Sequence, residues 1–443
     1  MRPTPQASPA PAPAPAEPAP ARRPLDVVVL NFELPYPANL GNRIRTLNLL
    51  LQLAGRHRIT FLARRNRDPA EADRAAAFLA SKGIDAVFVD APVPPRSGPR
   101  FYAKLAANLA SPLPYPVAAH LSAGMRAAVE RLAAERPVDL WQAESTAFID
   151  ALRGVADRPK LVIAHNVETL IWRRYRETEA SPLKRWYITQ QWRKYERFER
   201  RAFAEATRVV AVSAEDARLM REDFGARRVD VVDNGIDRAF FEAVERAPRP
   251  GRILFLGSLS WRPNLDAIGL LLDRIFPAVR AAVPGATLAL VGRSPSEALA
   301  RRVAGTAGVE LHADVPDVRP FLAESAVMAV PLRVGGGSRL KILEAMAAGL
   351  PVVSTRVGAE GLEIEPGRDY VAADDPGALA EALVGCLRDP GPAEAAARAA
   401  RPRVLDRYDW TGLAADLERS WYHCLEDHAA PTTPGAGAPR PAS

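Results

Sequence analysis

The stretch Pro331-Leu-Arg-Val-Gly-Gly-Gly-Ser-Arg-Leu-Lys-Ile-Leu-Glu-Ala-Met-Ala-Ala-Gly349, running on through Leu350-Pro-Val-Val-Ser354, decides the fold. An apolar run, Val327–Pro331, enters it as a strand, and Gly335, Gly336 and Gly337 form a loop. Ser338 offers an N-cap, and Arg339–Ala348 reads as a helix closed by Gly349 and Pro351. A second strand follows at Pro351–Ser354. Strand, helix and strand joined by short turns make a βαβ unit of a parallel sheet.

The same alternation runs in both directions. Ahead of it, strands are expected at Ile253–Leu256, Thr287–Val291 and Val309–His312, and behind it at Tyr370–Ala372. The first half repeats the pattern at Asp26–Phe32, Ile59–Ala63, Ala86–Val89, Leu140–Ala143, Leu161–Ala164, Val209–Val212 and Val229–Val232. Helical patterns such as Arg43–Leu53, Glu71–Lys82 and Ala123–Glu135 lie between them. The expected class is α/β, with two doubly wound Rossmann-like domains facing a cleft. The first is expected over 25–240 and the second over 253–403, joined by a charged linker at 241–252 that holds Pro248 and Pro250. A last helical pattern within 404–427 would suit a return to the first domain. Asn234-Gly235 reads as a tight turn leading out of the first domain.

Composition sets the outer limits. Nine prolines and seven alanines fall between Met1 and Pro24, and a similar cluster follows His428, so 1–24 and 428–443 are expected to be disordered tails. Two cysteines, Cys386 and Cys424, give no disulfide framework and no metal spacing, and no Asp-x-Asp pair appears. No run approaches the length of a membrane span, and the N-terminus lacks a signal peptide's apolar core, so the cytoplasm is the expected compartment. The net charge is +7, and 172–201 alone holds ten Arg/Lys against four Glu. The excess is therefore local and does not point to nucleic acid.

The glycine loop opening a helix is a ready anion site, because free N–H groups and the helix dipole both favour negative charge there. Arg339 and Lys341 in the first turn oppose that dipole by ~0.3–1 kcal/mol each, a cost that a bound diphosphate would offset. Glu344 lies three residues past Lys341, where a carboxylate would accept from two ribose hydroxyls. A solvated Lys/Glu pair at helical spacing is the plain alternative.

The run Gly335–Thr355 resembles the donor-site signature of glycosyltransferase family 4, of GT-B fold. The resemblance extends to Gly358-Ala-Glu-Gly-Leu362, Leu254–Asn264, Leu290–Arg293 and Val315–Leu322, and in the first half to Leu34–Arg43, Ala164–Val167, Val212–Asp216 and Asp233–Asp237. Bacterial exopolysaccharide transferases, including those linked to PEP-CTERM sorting, are the subgroup it looks most like. The resemblance implies retaining transfer from a nucleoside diphosphate sugar, with no cofactor, to a glycan or lipid-linked glycan. Glu344 matches the second carboxylate of the family's E-x7-E motif, while the first falls at Gly336. Ser258 and Pro263 stand where the family places a phosphate-binding Arg and Lys, leaving Arg333, Arg339 and Lys341 as replacements. Gly41 and Arg43 match the loop facing the diphosphate, and His165 matches the cleft histidine near the donor sugar. A sugar-nucleotide epimerase or hydrolase of the same fold, or a non-catalytic nucleotide-binding subunit, are the competing readings.

Segment 172–201 also holds seven aromatics, with Trp192, Tyr195 and Phe198 recurring at intervals of three. Such a stripe would either lie on an anionic membrane at the inner face or pack against its own domain.

Overall fold

The computed structural model describes residues 22–38, 41–65, 68–90, 97–334 and 339–430. Among them, seven parallel strands form the first sheet: β1 (Asp26–Asn31), β2 (Arg58–Arg64), β3 (Ile84–Val89), β4 (Leu140–Ala143), β5 (Lys160–Ala164), β6 (Arg208–Ala211) and β7 (Val229–Val231). Their order is β3-β2-β1-β4-β5-β6-β7. Six more build the second: β8 (Arg252–Leu256), β9 (Thr287–Gly292), β10 (Val309–Ala313), β11 (Val327–Val330), β12 (Val352–Ser354) and β13 (Val371–Ala372), in the order β10-β9-β8-β11-β12-β13. All are parallel, and helices cover both faces, which is why Val27–Leu30 and Ile253–Phe255 are buried without alternation. The chain is two doubly wound domains. Their strand orders reverse at β1/β4 and at β8/β11, so the crevices that receive ligands lie past the carboxyl ends of those strands.

Expected strands and observed ones differ by a residue or two at their ends. Larger differences lie between the domains and at the termini. The stretch 241–252 is no free linker: Phe241 and Val244 are buried in the second core, and Ala247 and Arg249 N–H groups donate to the Ala323 and Glu324 carbonyls. Nor is Asn234-Gly235 a turn. Gly235 lacks a positive φ and sits where an added Cβ would come within 2.6 Å of the Trp410 ring, so the glycine is there for close packing. Residues 22–24, placed in a tail from sequence, belong to the fold. Arg23 pairs with Asp139 at 2.8 Å, its carbonyl accepts from the Tyr422 hydroxyl, and the Arg22 guanidinium lies 4.5 Å above the Tyr422 ring. At the other end the last helix continues to Ala429.

That last helix, Trp410–Ala429, returns to the first domain. Trp410, Leu413, Leu417, Trp421 and Cys424 are buried in the same cluster as Val27, Leu50 and Ile59. The fully buried Trp421 donates its indole N–H to Gln142 Oε1 at 2.6 Å, satisfying the polar handle that so large a ring carries inward.

Candidate active site

In the second domain the crevice is framed by the ends of β8 and β11. The helix after β11 runs Leu340–Ala347 with Arg339 at its N-cap, one residue later than sequence placed its start. Gly335, Gly336, Gly337 and Ser338 lie outside the described residues, Ser338's expected capping role included. Lys341 turns its ammonium toward the end of β8, where it donates to Asn264 Oδ1 at 2.7 Å and lies 4.7 Å over the Phe255 ring. Asn264, itself buried, donates from Nδ2 to the Ser258 carbonyl and so faces its oxygen to the lysine. Gly257 makes room: a Cβ there would stand 2.8 Å from Asn264 Nδ2 and 2.9 Å from Lys341 Nζ. Burial pushes the lysine pKa down to about 7, with Arg339 adding to the effect and Glu344 opposing it. Glu344 is displaced the other way, up to about 7, by burial against the pull of Lys341. Among the described residues nothing hydrogen-bonds the Glu344 carboxyl. Two half-buried groups of opposite sign thus share the mouth of the crevice, as the three-residue spacing anticipates.

The other two cations are already engaged. Arg333 is half exposed and forks onto Asp266, with Nε 3.0 Å from Oδ2. Arg339 is buried, donating to the Val357 carbonyl at 2.9 Å and reaching Glu360 at 3.3 Å. Arg333 and Arg339, expected beside Lys341 as phosphate ligands, thus already have carboxylate partners. Each guanidinium has a carboxylate beside it, that of Glu360 being shared with Arg174, and Arg339 ties the helix start to 357–360. Lys341 alone of the three is held by a neutral amide. Pro263, in the position of the family's lysine, is buried in the first turn of the helix Arg262–Leu270.

In the first domain, His165 follows β5 and lies 3.1 Å through Nε2 from Oε2 of Glu144, the residue after β4. Glu144 also accepts from Thr46 Oγ1 at 2.6 Å and lies near the buried Arg45. Burial pushes this carboxyl up, but the His165 hydrogen bond and charge, Thr46 and Arg45 together outweigh it and hold the pKa below the ordinary range. Gly41 opens the helix Gly41–Leu53, and Arg43 two residues on is held between Glu33 at 3.0 Å and Glu71 at 3.2 Å. So placed, the guanidinium that was expected to face the diphosphate braces the β1 loop between two carboxylates. Beside Asn166, the residue after His165, opens a cavity of about 320 Å³, walled by Phe32, His120, Trp172, Tyr175 and Tyr195, with Trp261 of the second domain across from them.

The two domains are joined across the cleft. Arg174 forks onto Glu360 at 2.6 and 2.7 Å, so that one carboxylate holds both Arg174 and the donor-side Arg339. Arg262 reaches Glu179 at 2.9 Å and stacks 4.3 Å over Tyr175. The stripe Tyr195–Phe198 packs inward, both residues nearly fully buried, and Trp192 is half-buried beneath Arg176. The helix therefore packs this stripe, though not Trp186, on its own domain. Sequence reading missed Glu144, Asn264 and Glu360. The only trace of Glu144 was a lone carboxylate after an apolar strand, whereas Asn264 and Glu360 lay unremarked inside runs already singled out.

Two family models cover most of the described chain. One, described as Glycosyltransferase Family 4, matches residues 41–240, and the other, Glycosyl transferases group 1, matches 250–389. The chain belongs to the GT-B glycosyltransferases. Among curated GT-B relatives, a glycogen synthase of Mycobacterium tuberculosis is 32% identical over 203 residues, 43% of this chain and 47% of the relative. A GDP-mannose-dependent phosphatidylinositol monomannoside mannosyltransferase of Mycolicibacterium smegmatis is 32% identical over 161 residues, 33% of this chain and 42% of the relative. The chain spans about half the length of the curated relatives it matches. Among solved structures, sucrose-phosphate synthase of Thermosynechococcus elongatus superposes with a TM-score of 0.66 at 19% identity, covering 91% of this chain and 100% of that one. HepE of Anabaena, solved with UDP and glucose, gives 0.62 at 16% identity, over 90% and 100%. At these identities the likeness is one of GT-B fold. Among the described residues no helix is long and apolar enough to cross a membrane.

Proposed function

We propose that the protein transfers a glycosyl group, with retention, from a nucleoside diphosphate sugar to a hydroxyl of a glycan or lipid-linked glycan in polysaccharide assembly. The observation that carries this reading is the Lys341–Asn264–Gly257 arrangement beside the unbonded Glu344 carboxyl. A desolvated ammonium held by a neutral amide is preorganised for an anion and has no competing carboxylate in its first contacts. Glu344 accepts from the ribose hydroxyls, and Lys341 meets the diphosphate.

In the proposed step the bond from the anomeric carbon to the phosphate oxygen breaks, and its electron pair stays on the leaving diphosphate. The acceptor oxygen bonds to the anomeric carbon on the same face, and its proton passes to the departing phosphate. Lys341 stabilises the charge that grows on that phosphate. His165, held by Glu144, faces the donor sugar. The aromatic cavity that Asn166 lines suits an acceptor sugar, whose C–H face stacks on rings such as Trp172 and Tyr175. Glycosidic bond formation conserves the donor's configuration without a covalent carboxylate intermediate.

A thermal-shift screen against nucleoside diphosphate sugars identifies the donor, because a ligand stabilises by RT ln(1 + [L]/Kd). Steady-state kinetics with that donor then test the site. Glu344→Gln should mainly raise KM, since ribose contacts are equal in ground and transition states. A Glu344→Gln variant that binds and turns over donor like the native protein removes the donor-site assignment. Donor consumed without glycosylated product favours the hydrolase or epimerase reading, and donor bound but not consumed favours the binding subunit.

A further inference from the structure

Two helices of the first domain, Pro99–Asn108 and Pro182–Glu205, meet at its surface. Gln191 Nε2 donates to Asn108 Oδ1 at 3.2 Å, and Lys194 Nζ donates to the Asn108 carbonyl at 2.6 Å. Phe101 lies edge-on to Tyr115 at 5.8 Å, and the Tyr115 N–H donates to Gln191. Within Pro99–Asn108 just one residue, Asn108, is buried. On these two helices and at the first one's C-cap stand Leu183, 75% exposed, Tyr102, 67%, Trp186, 50%, and Leu109, 39%. Those four make up most of the exposed large apolar side chains among the described residues, the others being Trp261 and Leu265.

Along stretches 97–111 and 182–194 the charge has a single sign, with the Glu179 carboxylate just ahead of the second attracted to Lys184. Neither stretch contains Asp or Glu, and Arg100, Lys104, Lys184, Arg185 and Arg193 are all exposed. None of the five forms an ion pair among the described residues; Arg185 donates to the Glu179 carbonyl instead. Elsewhere on the surface Arg218, Arg238 and Arg301 each lie against a carboxylate one helical turn away. Protein interfaces deplete lysine at their apolar centres, whereas membrane faces interleave it with Trp and Leu.

We propose that this face docks on an anionic lipid surface. Leu183, Trp186, Tyr102 and Leu109 enter the headgroup boundary while the five cations meet lipid phosphates. It is a different face from the Trp192–Tyr195–Phe198 stripe, which turns inward. The docking itself stands on composition and exposure, not on the transferase reading. Its consequence does rest on that reading: Tyr195 of the longer helix lines the aromatic cavity with Pro116 and Val117 of the neighbouring helix Tyr115–His120, so docking would set that cavity near the lipid surface for a lipid-linked acceptor.

The test is co-sedimentation of the full chain with vesicles of phosphatidylglycerol and phosphatidylcholine, and with phosphatidylcholine alone. The native protein should pellet with the mixed vesicles and be released by salt, because surface electrostatics are screened. Arg100, Lys104, Lys184, Arg185 and Arg193 changed together to Gln should cut the bound fraction more than about tenfold. Leu183→Ser with Trp186→Ser should weaken binding while leaving its salt dependence in place. The same number of Gln substitutions at Arg218, Arg238, Arg301 and two further ion-paired surface arginines should leave it unchanged. Donor-induced thermal shifts in every variant report the transferase reading separately and confirm folding. Equal pelleting with both vesicle types, pelleting untouched by the five substitutions, or no pelleting of the native protein at low salt overturns the proposal. The last outcome would leave the face to a protein partner.

Discussion

Replacing Lys341 by Met keeps the length of the stem and removes the charge, and it should make the empty protein more stable while disabling the reaction. The ammonium's pKa falls from 10.5 to about 7 because it is buried. The unfolded chain therefore binds the proton more tightly between those two values. The group's destabilising effect is full below about pH 7 and fades as pH rises toward the unfolded value. Near about pH 7.5 this weakens the empty fold by on the order of 4 kcal/mol, at about 1.4 kcal/mol per tenfold. Losing the donor to Asn264 Oδ1 returns about 1–3 kcal/mol of that. The net gain should raise the apo melting temperature by a few degrees. At the same time kcat should fall about 10²–10³-fold, the usual effect of deleting one preorganised partner of transition-state charge. Calorimetry of the apo protein and steady-state kinetics on the same preparation measure both. Native-like kcat, or a melting temperature lowered by several degrees, would refute a desolvated cation waiting for an anion.

Nucleoside diphosphate affinity, measured by titration calorimetry across pH, should be bell-shaped about neutrality. It falls on the acid side as the raised Glu344 carboxyl takes up its proton, and on the alkaline side as Lys341 loses one, the two limbs belonging to the coupled pair. Lys341→Arg should abolish the alkaline limb alone. Glu144→Gln should leave donor KM near its native value and lower kcat by up to about 10²-fold, by releasing His165 from its set orientation; an unchanged kcat argues that the pair is purely structural. Trp421→Ala should cost about 3–5 kcal/mol and lower the melting of the first domain selectively. A calorimetric trace shifted equally for both domains would show that they unfold as one.

The alternation of apolar runs was enough to place both sheets, because strands of a covered parallel sheet are buried on both faces and read as continuous blocks such as Val27–Leu30. Lys341 and Glu344 were legible because their relation is local, one helical turn. The partners of Arg339 and Arg333 were not legible, for the opposite reason. Their carboxylates, Glu360 and Asp266, stand 21 and 67 residues away in the chain, and no spacing rule connects them. Glu144 became recognisable only when β4 and β5 were seen side by side, which sets it against His165. Gly235 failed as a turn because sequence reveals that a glycine is needed, but not whether conformation or a neighbouring Trp410 needs it.

The return of Trp410–Ala429 has a bearing on how the molecule is made. A ribosome delivers the strands of the first domain early, yet part of that domain's core arrives last. Until Trp421 emerges, Leu50, Ile59 and Val210 lack the indole and leucines that close their layer. The second sheet and its helices, complete by Arg407, meet no such delay. Folding during synthesis should therefore run against the order of translation, with the second domain closing before the first. A chain halted before position 410 would display an open apolar face on its first domain, the kind of surface that chaperones bind and that aggregates in their absence.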